Sequence, residues 1–164
     1  MAAAAAVKYK MQYYGRCETT AEYDNHRRLH RLIVGLDIEW RPNTIKGQQN
    51  PVAILQIFVS RRCLIYQFRK NVRVPKVLKK LLKNPDYTFV GVGIEHDKQK
   101  LFRDHGLEVG KVMDLREKAA YELTDVELKK AGMKKLGEVI LGKEVDHGKV
   151  LGVRMSDWEE KCFV

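Results

Sequence analysis

The chain has 164 residues, 45% of them hydrophobic and 32% charged, which suits one packed domain and excludes a disordered chain. No apolar run reaches the roughly 18 residues of a membrane-spanning helix, which argues against an integral membrane protein. Lys and Arg total 31 against 21 Asp and Glu, a net charge of +10, and that surplus favours a polyanionic partner, nucleic acid before an anionic membrane.

Residues 1–7 read as an Ala-rich disordered leader, because Ala2 to Ala6 is too short for a signal peptide and Lys8 and Lys10 follow it. Residues 8–164 read as one domain. Lys8 to Tyr14 and Cys17 to Tyr23 are strand-like, and Arg27 to Arg31 is a basic patch. Leu32 to Trp40 is the clearest strand, ended by Arg41-Pro42-Asn43, with a polar loop to Asn50. Val52 to Val59 and Arg62 to Gln67 complete an antiparallel meander.

The period then changes. Pro75 stands at a first helical position, Val77, Leu78, Leu81 and Leu82 recur at helical spacing, and Asn84-Pro85 stops the helix. Tyr87 to Gly93 reads as a strand and Glu95 to His105 as a helix with Leu101 and Phe102 on its apolar side. Val109 to Met113 is another strand, followed by helices near Leu115 to Leu123 and Met133 to Leu141. Strand and helix alternating after a meander imply an α/β fold, a mixed sheet with helices on both faces. Cys17, Cys63 and Cys162 form no Cys-x-x-Cys, so a reducing compartment, nuclear or cytoplasmic, is expected.

Asp37 and Glu39 carry the chemistry. Side chains alternate along a strand, so the two acids share one face while Leu36, Ile38 and Trp40 share the other. Adjacent carboxylates repel unless a cation compensates them, and oxygen ligands suit Mg²⁺ or Mn²⁺. Taken alone, Asp-x-Glu fits the polar face of a half-exposed strand better.

The context changes that weighing. Asp37-Ile38-Glu39-Trp40, Pro51 to Gln56, Val90 to Asp97, Asp114-Leu115-Arg116, Gly132 to Leu136 and Arg154-Met155-Ser156-Asp157-Trp158 follow one another in that order. The series resembles the DEDDy family of 3′–5′ exonucleases, above all the Werner-syndrome-type domains common in plants. The resemblance implies a ribonuclease-H-like fold and two-metal cleavage of a phosphodiester at a 3′ end, on DNA or RNA. It implies Asp37 bridging the metals, Glu39 holding the one that activates water, and Asp97 supporting the other.

The family's third motif, Tyr-x-x-x-Asp, would follow Trp158, and the sequence reaches Val164 only six residues later. A fold shortened at its C-terminus is therefore expected, with weak or absent activity. The alternative is an exonuclease fold that binds nucleic acid or a partner protein without cutting. Tyr121 and Asp125 have the motif's spacing but precede Gly132, and Thr124 or Asp125 reads instead as a helix cap. No histidine fits the sister DEDDh pattern, and His96 reads as a surface residue. For single strands or a 3′ end, Lys79 and Lys80 on one helix and Lys134 and Lys135 on another are candidate contacts. Self-assembly is left open.

Overall fold

The computed structural model describes residues 33–142 apart from 44, 46, 60, 61, 70 and 71. The leader, the strands expected before residue 24, the basic patch Arg27 to Arg31 and the Arg154 to Trp158 segment lie outside the described residues.

Ile33–Trp40 (β1) buries Val34, Leu36 and Ile38 and leaves Asp37 exposed between them, the period-two pattern of a strand with one face on a core. Val52–Val59 (β2) is buried from Val52 to Leu55 and again at Ile57, as a strand flanked on both edges should be. It pairs antiparallel with β1, placing Asp37 opposite Gln56 and Glu39 opposite Ile54. Arg62–Gln67 (β3) pairs antiparallel with β2 on its other edge. The expected meander is present.

Two short strands extend the sheet in the parallel sense. Thr88–Gly91 (β4) lies beside β1, and Lys111–Asp114 (β5) beside β4, giving the order β3-β2-β1-β4-β5. Parallel neighbours need crossovers. Lys76–Lys83 (α1) leads into β4, and Ile94–His105 (α2) connects β4 to β5. Leu78 and Leu82 of α1 and Ile94 and Leu101 of α2 join Val34, Leu36, Ile38 and Phe89 in the main core. A second cluster gathers Ala119 and Ala120 from Leu115–Glu122 (α3), Leu128 from a 3₁₀ helix at Val126–Lys130, and Leu136 from Met133–Leu141 (α4). Among the described residues no helix is long and apolar enough to cross a membrane.

Three local expectations need correction. Val77 is 68% exposed and Phe102 59%, because each helix buries only a narrow stripe: a residue one step from Leu78 or Leu101 is turned about 100° away from it. The strand expected from Val109 begins only at Lys111. Gly110 instead donates its N–H to the Leu82 carbonyl at 2.8 Å, so its backbone is engaged by α1 rather than by the ladder.

Candidate active site

The site is built where β1 outruns β4. Their pairing ends at Gly35 opposite Val90, leaving the stretch that carries Asp37 and Glu39 with no β4 partner. The chain leaves β4 at Gly91 and turns into α2 through Gly93, whose φ of 77° suits glycine. A Cβ on Gly91 would stand 2.7 Å from the Leu36 carbonyl oxygen, so the bare backbone lets α2 start hard against β1. Gly91→Ala is therefore expected to lower stability by about 1–3 kcal/mol, as overpacking does, read as a fall in melting temperature. An unchanged melting temperature would show that β4 can retreat from β1 without loss.

Asp97 is the fourth residue of α2 and only 8% exposed. Burial, then the charges of Asp37, Glu39 and Asp114, push its carboxyl up to about 7, against the pull of Arg116. Asp37 reaches solvent, yet burial by the surrounding protein raises its pKa too, opposed by the Ile38 N–H. Asp97 on α2 thus feels the charges of the expected β1 residues Asp37 and Glu39. Among the described residues no three acidic, His or Cys side chains are already gathered closely enough to hold a metal ion. The trio is an electrostatically coupled group rather than a closed cage.

Asp114 and Arg116 stand beside it, and residue-type reasoning did not single them out. Asp114 Oδ1 accepts from Arg116 N and Nε at 2.9 and 3.1 Å, while Oδ2 accepts from Arg116 Nη2 at 2.8 Å and Gly93 N at 2.9 Å. Burial is the largest influence on Asp114 and raises its pKa. The Arg116 hydrogen bonds and charge, with the Gly93 N–H, together hold it below the usual range.

Lys100 was missed as well, although its place three residues after Asp97 on the buried face was a signal. It is 3% exposed, and such a lysine needs partners. Its Nζ donates to the Asn50 carbonyl at 2.7 Å and Asp104 Oδ2 at 2.8 Å, and lies 4.9 Å from the Trp40 ring centroid.

The remaining candidates stand apart. Lys79 and Lys80 are exposed on α1, whose last turn meets the start of β5 through Leu82 and Gly110, the opposite end of the sheet from Asp97. Lys134 and Lys135 are exposed on α4, with Lys134 Nζ 3.7 Å from Glu138; an exposed pair of this kind contributes little. Tyr121 is 81% exposed, and Asp125 caps the 3₁₀ helix by accepting from Glu127 N, the capping role expected for it. His96 is exposed, its ring 6.3 Å from that of Trp40.

Comparison with known proteins bears on this geometry. The profile of a family described as 3′–5′ exonuclease matches residues 16–162. A 3′–5′ exonuclease of Arabidopsis thaliana is 35% identical over 128 residues, 77% of this chain and 43% of that protein. The bifunctional 3′–5′ exonuclease/ATP-dependent helicase WRN of Mus musculus is 33% identical over 133 residues, 77% of this chain and 9% of that protein. The chain thus spans less than half the length of these curated relatives. The crystal structure of the EXD2 exonuclease domain superposes with a TM-score of 0.51 at 25% identity, covering 80% of this chain and 64% of that one. That domain was also solved after soaking in Mg and GMP, and in Mn.

Proposed function

The chain belongs to the 3′–5′ exonuclease family, and on that premise we propose that it removes nucleotides from the 3′ end of a nucleic-acid strand. One observation carries the reading: the buried Asp97 carboxyl, raised to about 7 by burial and by Asp37 and Glu39. An acidic group this costly in free energy needs compensation, and its all-carboxylate donors suit hard divalent cations, Mg²⁺ or Mn²⁺. Two such cations, when bound, stabilise the attacking and leaving oxygens of an in-line displacement. Asp37, Glu39 and Asp97 are the side chains that would hold them.

In the reaction a water oxygen bonds to phosphorus, and the bond to the 3′ oxygen of the preceding nucleotide breaks. That oxygen keeps the electron pair and takes a proton, leaving a shortened strand with a 3′ hydroxyl and a nucleoside 5′-monophosphate. EXD2 soaked with Mg and GMP, a nucleoside monophosphate, supports this product class.

The test is a 5′-labelled single strand, DNA and RNA in parallel, incubated with the 164-residue chain and Mg²⁺ or Mn²⁺. A ladder shortening from the 3′ end, stopped by EDTA and by Asp37→Ala, is the expected result. A ladder indifferent to Asp37→Ala would overturn the assignment. A strand bound but left intact would favour a nucleic-acid-binding protein on an exonuclease fold.

A further inference from the structure

We propose that Arg116 is a substrate-contacting residue that binds a non-bridging oxygen of the phosphodiester joining the last nucleotide to the strand, and that Asp114 is the positioning residue that aims it; this rests on the exonuclease reading. Nε and Nη2 of Arg116 meet the two Asp114 oxygens at 3.1 and 2.8 Å, the planar fork that fixes a guanidinium in orientation as well as place. Asp114 is itself fixed, since it also accepts from Gly93 N at 2.9 Å. The guanidinium is thereby tied to the amino end of α2, one turn from Asp97.

Two of the five guanidinium N–H donors serve Asp114, and among the described residues the other three have no acceptor. About a third of the side chain, 32%, is exposed. Arg116 Nη2 is 3.4 Å from where a Cβ on Gly93 would stand, and among the described residues, the glycine's chain neighbours apart, only Arg116 comes within 4 Å of that point. The Gly93 backbone that opens α2 is thus bordered by the held guanidinium. A phosphodiester is repelled by Asp37, Glu39 and Asp97; the Arg116 charge is shared with Asp114, so what it offers at their edge is fixed N–H donors without added mobile groups.

A purely structural role explains less. Asp114 joins α2 to α3 through the N–H groups of Gly93 and Arg116 alone, and those bonds need no guanidinium. A side chain serving only as a tie could be truncated without effect on phosphate.

The experiment is calorimetric titration of the full chain in Mn²⁺ with guanosine 5′-monophosphate and, separately, guanosine. The wild-type chain should bind the monophosphate more tightly. Arg116→Ala should weaken the monophosphate by roughly ten- to hundred-fold, the range for charged hydrogen bonds, with guanosine unchanged and the KM for a strand raised more than kcat falls. Arg116→Lys, which keeps the charge without the fork, should lie between, and gives the same reading where the alanine variant fails to fold. Folded variants with undiminished affinity for the monophosphate, beside a wild type that trims strands, would overturn this assignment alone. A wild type that binds neither monophosphate nor strand would overturn the exonuclease reading, and this one with it.

Discussion

Asp97→Asn should make the cation-free chain more stable at pH 7.5 while it removes strand trimming. Burial and the charges of Asp37 and Glu39 raise the Asp97 carboxyl from 3.8 to about 7 in the folded chain. Between those values the folded state binds the proton and the unfolded state does not, so stability falls as pH rises through that window. The climb corresponds to up to about 4 kcal/mol once the carboxyl is ionised. Asparagine keeps the shape without the charge, so its advantage should be present at pH 7.5 and absent at pH 4. Mn²⁺ should reverse the order, because a cation bound only by the folded state stabilises it in proportion to the logarithm of its concentration. The wild type should gain more in melting temperature from Mn²⁺ than Asp97→Asn. Trimming should fall at least ~100-fold, beyond the 10–100-fold typical for losing an outer partner of a metal ligand. If Asp97→Asn is the less stable form at pH 7.5 in EDTA, Asp97 is not part of a strained acidic group.

Legibility followed locality. Val52–Val59 and Met133–Leu141 have the bounds that their apolar patterns predict, since each begins beside a Pro or Gly and carries its own periodicity. The strand expected at Val109 failed because the Gly110 backbone is engaged by Leu82, a partner outside any local window. Asp37 and Glu39 could be placed on one face from alternation alone. Asp97 could not, since an acid in the first turn of a helix already has a local reason in the helix dipole; only the resemblance singled it out. Arg116 lay in a segment of the ordered series but with no role attached, and Lys100 shared the buried face of α2 with no visible partner. Arg116 matters through the Asp114 contact with Gly93, 21 residues away, and Lys100 through a carbonyl 50 residues away. Their buried or paired positions are tertiary facts.

Asp104→Ala should be among the costliest substitutions away from the carboxylate trio, at about 3–5 kcal/mol, the usual loss when one partner of a buried ion pair is removed. The Lys100 and Asp104 side chains are 4% and 10% exposed and meet at 2.8 Å. Without Asp104 the ammonium keeps, among the described residues, the Asn50 carbonyl and the Trp40 ring, and the Val52 N–H loses its 3.0 Å acceptor. Burial is the largest influence on Asp104 and raises its pKa, but the Lys100 and Arg103 hydrogen bonds, the Val52 N–H and the Lys100 charge outweigh it. The net shift is downward, so this stabilisation is present above pH 3.8 and lost as pH falls through the folded value, the opposite trend to Asp97. Lys100→Met with Asp104→Asn removes both charges and keeps an acceptor for Val52. That double variant should recover most of the loss, as apolar replacement of buried pairs often does. The pair also bears on the site. Val52 pairs with Trp40 just after the register slips between Glu39 and Trp40, and Lys100 lies over that same ring, so the network holds the bulge that follows Glu39. Asp104→Ala should therefore weaken Mn²⁺ binding although Asp104 is no member of the trio. Equal instability of the double variant and Asp104→Ala would show that packing rather than charge pairing is at stake. Unchanged Mn²⁺ affinity in a folded Asp104→Ala chain would sever the network from Glu39.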